Sequence, residues 1–426
     1  MIKVMHFADA HIDIASHGRH DAVSGLPLRV LDFLKSLDHI VDTAISEKVD
    51  LVIFAGDAYK DRLPSPTYQR EWGKRIMRLS AAKIPTILLT GNHDVSPASG
   101  RAHTLQEFDT LEVPFVRVIN KPEFLKPADL WGLPVQVIGL PWIFRTGIVA
   151  ALDLPLKENE NIDDRFNNRI SAVVDEWLNQ ADKKLPSILI GHGTIQGAMF
   201  GSERSVMLGN DFKIPPLVVK DNRLDYVALG HLHSFQNLNP FHHPPVIYSG
   251  SIERIDFGEA KEKKYFVIAK IEKGNTTFER RRLIGRLFIP MRVKISKDDN
   301  MMEKILGRLP GEEMLKGSLV RLVIEYPRDM EPFLDETAIR EKCESAFEFH
   351  LVRLPKEEAR TRFSIDESVA NLNPLELLKR YWGMTKQDPG NTQPDGHSFS
   401  QRGTAECTCK NTDQSDANLN SRKQTA

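Results

Sequence analysis

Short apolar runs that end in Gly, Asp or His recur through the first part of the chain. Ile2–Phe7 leads into Ala8-Asp9, Leu51–Ala55 into Gly56-Asp57, and Thr86–Leu89 into Thr90-Gly91-Asn92. Ser187–Ile190 leads into Gly191-His192, and Tyr226–Leu229 into Gly230-His231. Each run is rich in Val, Ile, Leu or Phe, the pattern of a strand buried on both faces. Between them the apolar period lengthens. Leu26–Lys48 carries Leu31, Leu34, Leu37, Ile40, Val41 and Ile45 on one side, and Pro66–Ala82 and Ile162–Lys183 also predict helices. Strand alternating with helix predicts α/β architecture, with chemistry at the carboxyl ends of the strands.

After residue 260 the pattern changes. Tyr265–Glu272 and Thr277–Leu283 predict a hairpin around Lys273-Gly274-Asn275, followed by a short link over Ile284–Ile289. Pro290–Ile295, a helix near Asn300–Leu309, Leu319–Tyr326, a helix near Asp335–Cys343 and Phe347–Leu354 then give β-α-β-α-β, a small second domain. Pro355–Asn373 reads as a charged linker and Pro374–Trp382 as a short amphipathic helix. From Gly383 on, polar residues dominate, a composition that cannot bury enough surface to order itself. The breaks divide the chain into 1–284, 290–355, 356–383 and 384–426.

Composition adds limits. With 426 residues, 41% of them hydrophobic, two or three domains are expected. The net charge of -1 gives no global sign of nucleic-acid binding, so any such contact must come from a local basic patch or a partner. Three cysteines make no disulfide framework, which suits a reducing compartment. Neither a signal-peptide pattern nor an apolar run of membrane-spanning length is present, so a cytoplasmic location is expected.

The candidate chemistry lies in the set rather than in any one residue. Asp9-x-His11, Gly56-Asp57, Gly91-Asn92-His93-Asp94, Gly191-His192 and Gly230-His231-Leu232-His233 all follow expected buried strands. Glycine precedes four of them, where a tight strand-to-loop turn would let side chains point into one cleft. Carboxylate, amide oxygen and imidazole donors without a thiolate suit divalent ions, Mn²⁺ above all, with Fe²⁺, Zn²⁺ or Mg²⁺ possible, and argue against a structural zinc site. One carboxylate must bridge the two cations of such a site, and Asp57 is central in the series.

This ordered set resembles the calcineurin-like metallophosphoesterases. The resemblance implies a β-sandwich flanked by helices. It implies one metal on Asp9, His11, Asp57 and His233, and another on Asp57, Asn92, His192 and His231. It puts His93 over the scissile phosphate, with Asp94 orienting it. Tyr248–Glu259 and Gly201–Gly209 are similar to stretches of the SbcD-type DNA nucleases, the bacterial relatives of the eukaryotic meiotic-recombination nuclease. That narrower resemblance makes residues 1–284 the nuclease domain and 290–355 a small α+β DNA-capping domain. It makes Asn373–Tyr381 the grip on the coiled coil of an SbcC-type ATPase. It also implies a homodimer within a heterotetramer, two Mn²⁺ ions, and 3′–5′ duplex exonuclease with single-strand endonuclease activity. Asp13, where many members have Gly, and the tail after Gly383 depart from the pattern.

Other features stay open or structural. Tyr68, Trp72, Ile76 and Leu79 form one helical stripe that either packs on the sheet or meets a second copy. Arg62, Arg101, Arg145 and Arg204 lie in expected loops near the ligands, where they hold phosphates or are simply solvated. Glu253, Arg254 and Asp256 read as a salt-bridged turn, and Lys261–Lys264 as a solvated charge run. Cys407-x-Cys409 with His397 is too closely spaced to make a metal site. A phosphatase or phosphodiesterase acting on small molecules or phosphoproteins is the competing reading, since its chemistry can use the same donors.

Overall fold

The computed structural model describes residues 1–12, 19–96, 101–143, 162–201, 213–356 and 375. Arg145, Arg204, most of the Gly201–Gly209 loop, the 374–382 helix apart from Leu375, the charged linker beyond residue 356 and the polar tail lie outside these residues.

Two six-stranded sheets face each other. The first runs β14 (Asn275–Leu283), β13 (Lys264–Glu272), β1 (Ile2–Phe7), β2 (Leu51–Phe54), β3 (Thr86–Leu89) and β4 (Val116–Ile119). Strands β1 to β4 are parallel, and the β13–β14 hairpin closes one edge antiparallel to β1. The second sheet runs β11 (Gln236–Asn237), β12 (Val246–Tyr248), β10 (Tyr226–Gly230), β7 (Ser187–His192), β6 (Gln136–Leu140) and β5 (Glu123–Leu125). Both faces of each sheet are covered, which is why the central strands are apolar throughout. Val4, Ile53 and Ile87 meet Ile188, Ile190 and Ala228 between the sheets. Met5, Phe7, Val52 and Phe54 point the other way, against α1 (Leu28–Ser46) and α2 (Pro66–Ala81). The helix Ile162–Gln180 covers the outer face of the second sheet, and β8 (Thr194–Ile195) and β9 (Lys213–Ile214) form a short parallel pair after β7.

Most expected elements are present, shifted at their ends. The third helix stops at Gln180 because the Asp182 N–H donates to the Gln136 side chain at 2.8 Å, which draws the chain away. Glu272 pairs with Asn275, so the hairpin turn is only Lys273-Gly274, with Gly274 at φ +77°. The Trp72 stripe belongs to the core. Trp72, Ile76 and Leu79 are buried, and the Trp72 ring lies 4.8 Å from Phe54 and 6.2 Å from Tyr59. These three side chains are therefore not available to a second copy.

A third sheet follows in the order β15 (Phe288–Lys294), β16 (Leu319–Pro327) and β17 (Glu348–Lys356), all parallel. Short helices cross over on one face, including Met301–Leu306 and Glu336–Lys342, capped by the side chains of Asn300 and Asp335. The third sheet and its helices share a core of Val320, Leu322, Ile324, Tyr326, Ile305 and Ile339. Arg286 fastens them to the sandwich. Its guanidinium donates twice to Asp32 of α1 at 2.7 Å, donates to the Gly317 carbonyl at 2.7 Å, and lies 3.8 Å from the Phe347 ring centroid.

Candidate metal centre

The expected donors sit where strands of both sheets end, and they converge. Ligand atoms of Asp9, His11 and His233 lie within 4.8 Å of one another, as do those of Asp57, His192 and His231; those of His11, Asp57 and His93 are equally close. His11 Nε2 lies 3.1 Å from His233 Nε2, and Asn92 Oδ1 lies 3.0 Å from both His192 Nε2 and His231 Nδ1. Asp57 Oδ2 is 3.8 Å from His11 Nε2 and 3.3 Å from His192 Nε2, so one carboxylate oxygen is common to both groups.

The backbone here is strained in a pattern the sequence does not reveal. Of the four glycines before the motifs, only Gly56 takes a left-handed φ, at +99°. The other left-handed residues are candidate ligands themselves: Asp9 (+51°), His11 (+41°), Asp57 (+64°) and His231 (+101°). Each such non-glycine conformation costs about 1–3 kcal/mol and persists only where the surroundings impose it. Gly91 is needed for close approach, since a Cβ there would lie 2.2 Å from Asp57 Oδ1.

Neighbouring groups fix the imidazole orientations. The His192 Nδ1–H donates to the Ala55 carbonyl at 2.7 Å, leaving Nε2 to face the cluster. The His233 Nδ1–H donates to Glu259 Oε1 at 2.8 Å, with the same result. Burial would raise Glu259, but the bonds from His233 and Lys264 hold it at about 2. Burial pushes Asp9 up to about 7 against the pull of His192 and His233. Burial would lower His192, but the Asp57 carboxylate lifts it to about 9.

His93 is half-buried at the edge of the cluster. Its Nδ1–H faces the Lys60 carbonyl, and its backbone N–H donates to Asp57 Oδ1 at 2.8 Å. Asp94 does not orient this ring. Its oxygens accept from the backbone N–H groups of Asp57, Ala58 and Gly91 and from the Thr104 hydroxyl, and no bond to the His93 ring occurs. Asp94 thus ties the Asp57 loop to the Asn92 loop. Burial, then the Asp57 charge, raises it to about 6 against those donors.

Several groups at the site have a role that the sequence does not assign. Glu259, the last residue of the Tyr248–Glu259 stretch, is one. The buried Trp142, whose ring lies 5.1 Å from that of His231, is another. Lys264 is not part of a solvated run: it is buried, 2.7 Å from Glu259 Oε2 and 2.8 Å from Glu262. Arg62 reaches the Asn92 carbonyl at 3.1 Å, and Arg101 is exposed. The turn at Glu253, Arg254 and Asp256 is held by backbone N–H donation from Arg254 to Glu253 and from Gly258 to Asp256, and the ion pair of Glu253 is with Arg29 of α1 rather than within the turn. The buried His6 bonds Tyr226 and Leu229 and is structural.

The donor set fits divalent cations. Two imidazole nitrogens 3.1 Å apart, one on the buried His11 and one on the half-buried His233, are well served by a shared cation. Residues 2–235 match the calcineurin-like phosphoesterase family. The chain belongs to that family. It is therefore a hydrolase of phosphoester bonds that uses divalent metal ions. The SbcD component of the SbcCD nuclease of Staphylococcus epidermidis is 26% identical over 296 residues, covering 68% of this chain and 70% of that protein. A dimetal phosphatase from Danio rerio is 12% identical with a TM-score of 0.41, covering 67% of this chain and 97% of that one. A Thermus thermophilus protein is 14% identical with a TM-score of 0.36, covering 66% and 98%. Among the described residues no helix is long and apolar enough to cross a membrane.

Proposed function

We propose that this protein is a two-metal DNA nuclease, a 3′–5′ duplex exonuclease and single-strand endonuclease that works as a homodimer with an SbcC-type ATPase. The observation that carries the two-metal reading is Asp57 Oδ2, within 4 Å of donors in both groups. In this reading Asp9, His11, Asp57 and His233 hold one ion, and Asp57, Asn92, His192 and His231 hold the other. Mn²⁺ suits this mixture of carboxylate, amide and imidazole donors.

When bound, such a pair polarises a phosphoryl oxygen and makes water acidic enough to attack phosphorus near neutral pH. The remaining work falls to the chain. Donation from Nδ1 to the Lys60 carbonyl leaves His93 Nε2 to act at the cleft. The imidazolium protonates the leaving oxygen as a general acid. Asp94 acts indirectly, by keeping the Asp57 and Asn92 loops in register.

The choice of DNA rests on the likeness to the SbcCD nuclease component and on the small domain beside the site. That domain carries exposed Arg292, Lys294, Arg321 and Lys356, of which Arg292 and Lys356 pair with Glu325 and Arg321 lies over Phe257; a phosphate backbone would have to compete for those three. The test offers end-labelled duplex and single-stranded DNA beside p-nitrophenyl phosphate esters, with Mn²⁺. Cleavage of both DNAs, weakened by salt, is expected. Efficient turnover of the aryl esters with intact DNA would favour the phosphatase or phosphodiesterase reading instead.

A further inference from the structure

The turn after the last expected ligand connects the metal cluster to the small domain. Phe257–Glu259 is a single 3₁₀ turn, capped by Asp256, whose side chain accepts from the Gly258 N–H at 2.7 Å. Its last residue, Glu259, faces the cluster. One oxygen accepts from His233 Nδ1 at 2.8 Å, and the other meets Lys264 Nζ at 2.7 Å and the Ile255 N–H at 2.9 Å. Lys264 also donates to the His233 carbonyl at 3.0 Å, so ring and backbone of His233 are held by one buried ion pair.

Its first residue, Phe257, faces the other way, and each strand of the small sheet supplies one group to grip it. Phe288 of β15 meets the ring edge to face at 5.1 Å, the Arg321 guanidinium of β16 lies 4.8 Å from its centroid, and His350 of β17 lies 6.0 Å away. Arg321 and His350 are register partners, so the grip spans neighbouring strands.

We propose that this turn links the seat of the small domain to the metal centre: the small sheet fixes Phe257, and Glu259, two residues on, positions His233 as a ligand. The proposal rests on the metal-centre reading. A Glu259 acceptor on Nδ1 keeps the proton there and leaves Nε2 free to bind a cation, the usual second-sphere arrangement for a metal-binding histidine. Phe257 and Glu259 share one short turn, so releasing the ring loosens the carboxylate. The effect is local to one ion, because His192 and His231 have other neighbours, the Ala55 carbonyl and Trp142.

Calorimetric Mn²⁺ titration of the full chain tests this without reference to cleavage. Glu259→Gln, in which Glu262 still pairs with Lys264, is expected to weaken one of the two sites by about 10- to 100-fold and spare the other. Phe257→Ala, distant from the ligands, should weaken the same site by about 10-fold with little change in unfolding temperature, and Phe257→Leu should restore most of the loss. Wild-type affinity in Glu259→Gln overturns the positioning role. Wild-type affinity in Phe257→Ala overturns the link to the small domain. Equal weakening of both sites with a lower unfolding temperature would make the turn merely structural. If the unaltered protein takes up no Mn²⁺, it is the metal-centre reading that has failed.

Discussion

Replacing Asp94 separates its structural role from the role in orienting His93 that the motif suggests. Asp94 is 1% exposed, and each oxygen serves two donors. Oδ2 takes the N–H groups of Asp57 at 2.7 Å and Gly91 at 2.9 Å, while Oδ1 takes the Ala58 N–H at 3.0 Å and the Thr104 hydroxyl at 2.9 Å. In Asp94→Asn the amide nitrogen cannot accept. With the amide oxygen in the Oδ2 position, Thr104 can turn to accept from the new NH₂, and only the Ala58 N–H loses its partner. One orphaned buried donor costs about 1–3 kcal/mol. Asp94→Ala orphans three N–H groups at about that cost each, most of a typical folding stability of about 5–15 kcal/mol. Urea unfolding should therefore give a folded Asn variant with a lower midpoint and an unchanged slope, and an Ala variant that is unfolded or nearly so. A variant pair with unchanged stability and only a slower reaction would refute this, and would return Asp94 to His93.

His93→Ala should keep both metals and lose about 10²–10⁴-fold in turnover, the range for one positioned acid; a parallel loss of metal, measured by elemental analysis, would make His93 a ligand. Mn²⁺ affinity should rise with pH between about 7 and 9, because the metal-free cluster holds protons on Asp9 (about 7) and His192 (about 9) that the ion must displace. Calorimetry in buffers of different ionisation enthalpy should detect those protons, and a pH-independent affinity would count against it. Trp72→Glu should abolish cooperative folding by circular dichroism, since the truncation alone costs about 3–5 kcal/mol before a buried charge is added; a folded monomer by light scattering would instead restore the stripe as an interface between copies.

How much the sequence reveals depends on how local each cause is. The strand-end motifs are legible because apolar runs, the glycines and the donor residues lie within a few positions of one another. The left-handed φ values of Asp9 and His231 are not, because they follow from the convergence of loops on one point. Glu259 closes a stretch that resembles the SbcD-type nucleases, but its role is not legible there: it lies 26 residues beyond His233, and the turn and β13 bring it and Lys264 back to the ring. The same return explains why Lys264 looks solvated but is buried. Trp142 follows Leu140-Pro141 with no Asp, Asn or His to mark it. The Trp72 stripe is ambiguous in sequence because any amphipathic helix presents one face, and only the positions of Phe54 and Tyr59 decide what covers it.

Counting metal ions bound to the unaltered chain, to Asp57→Ala and to His11→Ala tests the shared carboxylate most directly. With Mn²⁺ in excess and the protein passed through a desalting column, the unaltered chain should retain two ions. Asp57→Ala should retain none, and His11→Ala should lose one preferentially. A single ion in the unaltered chain, or equal partial losses in the two variants, would contradict a two-metal centre bridged by Asp57.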